Sequence, residues 1–301
     1  MLWTEKYRPT LLRDIVGQQH FIDDALTWEH GMPHVLLHGV AGTGKTAAAG
    51  ALANYILKEN KSGNFFEINA SDDRRLEVVR TTIKEIATTM SMGKVPHKIV
   101  LLDEMDGMTP AAQDALKRLM EQYSNNLRFI ITCNHRHKII PPIQSRCANY
   151  GFRKLPLEDA LAVLNSIIRL EGIKKYRQDE LLTLIRDCDG DLRRAITLLQ
   201  ASAQSNTSIT TQIDRTHQAY NDILDNILIS EFEFALNMIH GMIDQSLDMK
   251  TVCVNLHAVV LKRDMAVSQK FKLLRIIGES EWRCAEMTPK ILASWMIGQM
   301  I

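Results

Sequence analysis

Nothing in this sequence approaches a membrane span, because no apolar run reaches the roughly 18 residues that crossing a bilayer requires. The opening segment MLWTEKYRP is too polar and too short to act as a secretory signal, so export is not expected. An excess of one charge is also missing. The chain has 36 basic and 35 acidic side chains, a formal +1. That balance excludes a protein that coats nucleic acid indiscriminately and leaves only local patches for such contact. The five cysteines (133, 147, 188, 253 and 284) include no C-x-x-C pair. Their scatter argues against a zinc ribbon and for reduced, buried thiols in a cytoplasmic or nuclear setting.

What is present is globular. At 301 residues, 46% hydrophobic and 24% charged, the chain can build two or three domains with a sizeable core. Short aliphatic runs at His34–His38, Phe65–Asn69, Lys98–Asp103 and Arg128–Thr132 read as buried strands. Amphipathic stretches such as Thr46–Leu57 and Pro110–Gln122 separate them, which predicts an α/β domain with a parallel sheet. After Pro156 the strand signal vanishes. Leu157–Ile173, Asp179–Cys188 and Asp191–Ala203 have helical spacing, and Gly190 is a stop between the last two. A polar loop is expected over Ser205–Gln212, and from about residue 219 the chain reads as helix again, without repeats. The expected division is residues 1–154, 155–214 and 215–301.

The chemistry concentrates in Gly39–Thr46, GVAGTGKT, which fits G-x-x-x-x-G-K-[ST] between a strand and a helix. In that setting the backbone N–H groups of Gly39, Val40, Ala41, Gly42, Thr43 and Gly44 turn toward phosphates and the helix dipole assists. Lys45 would reach the β and γ phosphates of ATP, and the Thr46 hydroxyl would hold Mg²⁺. Downstream, IVLLDE places Asp103 at a strand end as the Mg²⁺ carboxylate and leaves Glu104 free to act on water as a base. The next strand ends at Asn134. Its amide could touch the γ-phosphate, or equally could cap a loop.

The ordered set WTEKYRP, DIVGQ, GVAGTGKT, EINASDD, LLDEMDGMT, AAQDALKRLMEQYS, RFIITCNH, PPIQSRCA and GDLRRAITLLQ resembles the small subunits of replication factor C, the AAA+ sliding-clamp loaders. The likeness covers the first two hundred residues. Over the last hundred it extends only to length and helical character. The resemblance implies a P-loop ATPase domain, a helical lid and an all-helical collar. It also implies an adenine pocket containing Thr4, Tyr7, Arg8 and Val16, with Asn134 and Arg193 as sensors of the γ-phosphate. Where the family usually carries proline in the phosphate loop, this chain has Val40 or Ala41. Its acidic box ends Met105-Asp106 where Ala-Asp is usual.

Several partners follow from the same resemblance: other subunits of a pentamer, a sliding clamp, and primer–template DNA. Arg75, Arg80 and Lys84 would track duplex phosphates, joined by Lys117 and Arg118. Without the resemblance these basic residues read as a solvated helix face. The loop TTMSMGKVPH (88–97) suggests either an adaptable methionine surface or a buried loop core. Arg146, in PPIQSRC, has no acid within several positions. The resemblance makes it an arginine finger that completes the neighbouring subunit's site, so its partner charge is expected in another molecule. Two rival readings are a branch-migration helicase, which would carry a winged-helix C-terminus, and a nucleotide-binding scaffold without turnover.

Overall fold

The computed structural model describes residues 1–29, 31–70, 76–173, 176–188, 190–205, 209–244 and 247–300, with the backbone alone for 76–79 and 209–217. Two compact units emerge, Met1–Ile209 and Thr210–Ile301. In the first, strands β1 (His34–His38), β2 (Phe65–Asn69), β3 (Lys98–Asp103), β4 (Leu127–Cys133) and β5 (Cys147–Gly151) form one sheet. Its order is β2-β3-β4-β1-β5 and every pairing is parallel. The helices of this unit are α1 (Trp3–Lys6), α2 (Gln19–Leu26), α3 (Lys45–Leu57), α4 (Leu76–Thr88), α5 (Pro110–Gln122), α6 (Pro141–Gln144), α7 (Leu157–Leu170), α8 (Gln178–Asp187) and α9 (Leu192–Ser205).

Period-two alternation along the strands divides the core into two layers. Leu36, Val100, Leu102, Phe129 and Ile131 pack with Ile83 and Ile86 of α4 and Leu116 and Leu119 of α5. On the opposite face Val35, Leu37, Ile99, Leu101 and Ile130 meet Phe21 of α2 and Ala48, Ala49 and Leu52 of α3. Strands covered on both faces need apolar residues at successive positions, which is why KIVLLD and FIIT read as unbroken runs. Fully burying each such side chain contributes about 1.5–3 kcal/mol relative to leaving it exposed. A three-layer α/β/α arrangement results, with the carboxyl ends of all five strands at one edge.

The structure departs from the sequence expectation in places. β5 was not expected, because CANYG lacks a clean apolar pattern and follows two prolines. Pairing with β1, from His34↔Cys147 to His38↔Gly151, makes it a strand. Residues 209–212, expected within a polar loop, begin helix α10 (Ile209–Leu228). The second unit continues with α11 (Phe232–Asp244), α12 (Met249–Lys262), α13 (Val267–Arg283) and α14 (Pro289–Met300). Its core is formed by Tyr220, Leu224, Ile239, Leu256, Ile277 and Met296, among others. Among the described residues it contains helices and no strand, and no helix there or in the first unit is long and apolar enough to cross a membrane.

Candidate nucleotide site

At the carboxyl edge of the sheet, where parallel α/β folds place ligands, lies a cleft of about 250 Å³. Its floor is the loop from β1 to α3. Gly39 has φ 149°, and a Cβ there would lie 2.2 Å from the carbonyl oxygen of Phe152. Gly42 has φ 77°, and a Cβ would lie 2.1 Å from the Asp191 carboxylate. No side chain fits at either place, so the backbone is laid close to its neighbours, and the Gly39 N–H donates to the Cys133 carbonyl at 3.2 Å. The Thr43 hydroxyl donates to the Val40 carbonyl at 2.9 Å and braces the loop from within.

Lys45 opens α3 and is buried to 8% exposure. Its ammonium donates to the carbonyls of Gly39 (2.7 Å) and Val40 (2.9 Å) and to Asn134 Oδ1 (2.9 Å). All three acceptors are neutral oxygens. Burial holds the group below the usual lysine value, and the nearby charges of Asp103 and Asp106 oppose that shift. A buried cation whose hydrogen-bond acceptors are all neutral is suited to an anion. One residue on, the Thr46 hydroxyl donates to the Asp103 carboxylate at 3.0 and 3.2 Å. A hydroxyl and a carboxylate side by side are the hard oxygen donors that Mg²⁺ takes, so the residues present fit that ion.

The tips of β3 and β4 interlock above this floor. Leu102 pairs with Ile131, which sets Asp103 beside Thr132. The Thr132 hydroxyl donates to Asp103 Oδ1 and accepts the Glu104 N–H at 3.1 Å. Glu104 is exposed in the cleft wall, with its backbone in the left-handed region at φ 54°, ψ 43°. Asp106 accepts the N–H groups of Asn134 and His135, each at 3.2 Å. The Asn134 amide oxygen faces Lys45.

Thr4, Tyr7, Arg8 and Val16 all line the same cleft, as do Leu155, Val163 and Ile196. The N-terminal segment is fastened there by long-range bonds. The Trp3 N–H donates to Gln200 of α9 at 2.8 Å, and the Tyr7 hydroxyl donates to Glu171 at 2.6 Å. Hydrogen bonds from Lys6 and Tyr7 hold the Glu171 carboxyl below its ordinary range. Arg193, in the first turn of α9, is exposed in the cleft wall and near enough for its charge to act on Lys45.

Not every expectation falls in place. Ala41 through Thr46 line the cleft, whereas Gly39 and Val40 do not: their carbonyls face Lys45, and the Val40 side chain is exposed. The expectation that Arg146 finds its charge only in another molecule is corrected. Its guanidinium pairs with Glu121 of the same chain and donates to the Pro142 carbonyl at 2.6 Å. Glu121 is 25 residues away in sequence but adjacent once α5 packs beside α6. Arg80 is exposed and Lys84 half-buried on α4, with Arg118 exposed and Lys117 half-buried on α5. Lys117 lies 3.8 Å from Asp114. Arg75 is outside the described residues. Met90 and Met92 are exposed, at 92% and 62%, which removes the buried reading for these two methionines, although Val95 and His97 of the same loop pack inward.

Sequence reasoning missed Thr132, Asp106 and Gln200 as parts of the site. The one available signal for Thr132 was its position, next to last in β4 and two residues before Asn134, just past the strand's end.

Comparison with known proteins is consistent with this geometry. The family model described as "ATPase family associated with various cellular activities (AAA)" matches residues 35–154. The "Replication factor C small subunit" of Methanococcus maripaludis strain C7 is 35% identical over 296 residues, 94% of this chain and 93% of that protein. Its counterpart in Saccharolobus solfataricus is 38% identical over 298 residues, 95% of this chain and 89% of that one. Among solved structures, the Thermotoga maritima RuvB Holliday junction branch migration motor superposes with a TM-score of 0.58, covering 74% of this chain and 79% of that chain. Sequence identity there is 15%, so this likeness concerns the fold alone.

Proposed function

The chain belongs to the replication factor C small-subunit family, and from that premise we propose that it is a working ATPase subunit of a pentameric loader that places a sliding clamp on primer–template DNA. The observation that carries the reading is the convergence of Lys45, Thr46, Asp103, Glu104, Asn134 and Arg193 on one cleft. Lys45 exchanges its neutral oxygens for the β and γ phosphates of ATP. Thr46 and Asp103 would hold Mg²⁺, which would draw charge from those phosphates when bound. Glu104 accepts a proton from the attacking water. Asn134 and Arg193 bond the γ-phosphate, and Arg193 ties residues 155–214, the lid, to the nucleotide. Residues 215–301 act as the collar through which subunits assemble. Arg146 serves the adjacent subunit's site. In this scheme ATP binding grips clamp and DNA, and hydrolysis releases the closed clamp. The exposed Met90 and Met92 suit an adaptable surface for the clamp. The work is placed in the cytoplasm or nucleus.

Glu104→Gln in the assembled complex tests turnover. ATP binding should persist while hydrolysis falls by about 10²-fold or more. A nucleotide-binding scaffold would give equal rates for the two proteins, and that result would end the enzyme reading. The helicase alternative called for a winged-helix C-terminus, and the described part of the second unit has no strands to build one.

A further inference from the structure

We propose that Thr132 is a positioning residue for hydrolysis, holding the Asp103 carboxylate and the Glu104 peptide in one fixed arrangement. The inference rests on the reading of Glu104 as the base. Thr132 is 1% exposed, so its hydroxyl has no water to turn to. The hydroxyl has a single proton, and that proton is committed to Asp103 Oδ1. Its oxygen is therefore the acceptor for the Glu104 N–H at 3.1 Å. One buried atom thus links the carboxylate expected beside Mg²⁺ to the backbone of the residue expected to act on water.

Glu104 needs such a hold. A non-glycine residue at φ 54° is in a sparsely populated region and persists only where its surroundings fix it. Two contacts do so, the Thr132 bond at its N–H and the Gly107 N–H donating to its carbonyl at 3.0 Å. The left-handed turn ends β3 after Asp103 and directs the chain into the short 3-10 turn Met105–Gly107. Glu104 then stands in the cleft wall with Asp103. Without the Thr132 hydroxyl the peptide at 104 loses its donor's partner and Asp103 loses a fixed donor. Both carboxylates would then sample positions displaced from the phosphate, where small misplacements have large effects on rate.

Thr132→Val keeps the branched shape and removes the oxygen. In the assembled ATPase it should lower kcat by about 10- to 100-fold while the ATP affinity of the complex stays near wild type. The Mg²⁺ concentration for half-maximal rate should rise, and Thr132→Ser should restore both quantities. If Thr132→Val does not fold, Thr132→Ala against Thr132→Ser makes the same comparison, because both lack the methyl and differ only in the oxygen. Equal kcat with and without the oxygen overturns the inference, as does a loss that appears only in ATP affinity. Glu104→Gln separates the two levels. If that variant turns over normally, the base reading fails. If it is inactive while Thr132→Val runs at the wild-type rate, only the role of Thr132 falls.

Discussion

Arg146 has a carboxylate in its own chain, and the magnitudes decide what that means. The Glu121 pair is partly open to water, with side-chain exposures of 35% and 51%, and exposed ion pairs contribute only about 0–1 kcal/mol. An arginine offered to a transferring phosphoryl group is worth on the order of 10³-fold or more in rate, or about 4 kcal/mol by transition-state arithmetic. If Arg146 serves a neighbouring subunit's γ-phosphate, as proposed, that contact outweighs the Glu121 pair in the transition state. Until then the Glu121 and Pro142 contacts keep a long side chain in one place. Arg146→Ala should leave ATP affinity of the isolated chain unchanged and reduce turnover of the assembled ring by about 10³-fold. Equilibrium binding of a labelled nucleotide and steady-state hydrolysis measure the two. If the isolated chain loses affinity as badly as the ring loses rate, Arg146 belongs to its own site and not to a neighbour's.

At the scale of elements, the amino ends of the strands carry a pH dependence. His34 begins β1 and accepts the Phe129 N–H on Nδ1 at 3.1 Å, so it must be unprotonated there. His97, 4% exposed, precedes β3. Burial first, and then the Arg128 guanidinium, push both imidazoles down to about 4. An unfolded chain has histidines near 6.5. Below that value the unfolded state binds protons that the folded state does not, so stability is complete above about pH 6.5 and declines toward pH 4. The expected loss is about 1–2 kcal/mol for each histidine by pH 5. Urea titrations at pH 7.5, 6 and 5 should show it, and His97→Leu should flatten the trend. A wild-type midpoint that stays constant across that range would contradict the account.

What could be read in advance sorts by the same local logic. β1 and β3 were legible end to end because their central residues are covered on both faces and must be apolar, and β2, at the sheet edge, was legible from Phe65, Phe66 and Ile68. The phosphate loop was legible because its function is carried by eight consecutive positions. β5 was not, since what makes CANYG a strand is β1, more than a hundred residues earlier. Thr132 was hidden for a different reason. Threonine in a strand is already explained by its β-branched shape, so the hydroxyl adds nothing visible until Asp103 is placed beside it. Lys98 behaves likewise. At the start of KIVLLD it is 2% exposed and its ammonium donates to the Ile86 and Thr89 carbonyls, tying β3 to the last turn of α4, a partner that only the fold brings near.

For the whole molecule, a formal charge of +1 rules out a strong overall field, so any response to DNA must come from a few placed cations. α4 and α5 pack on one face of the sheet and carry Arg80 and Lys84, and Lys117 and Arg118, respectively. Lys117 is near Asp114, which leaves Arg80, Lys84 and Arg118 as the stronger candidates for phosphate contact. Contacts of this kind position a protein without reading sequence, which would suit the proposed action at any primer end. Each phosphate neutralised adds about 0.9 to the slope of log affinity against log salt. The Arg80→Ala and Lys84→Ala double variant, placed in the assembled complex, should therefore raise the DNA concentration for half-maximal ATPase stimulation. It should also reduce the salt slope by about 2 while leaving the DNA-independent rate as it was. Because the net charge is so small, two residues are a large share of the electrostatic attraction, and the change should be plain between low and physiological salt. If stimulation by primed DNA keeps both its midpoint and its salt slope, α4 is a solvated helix face and the DNA must be held elsewhere.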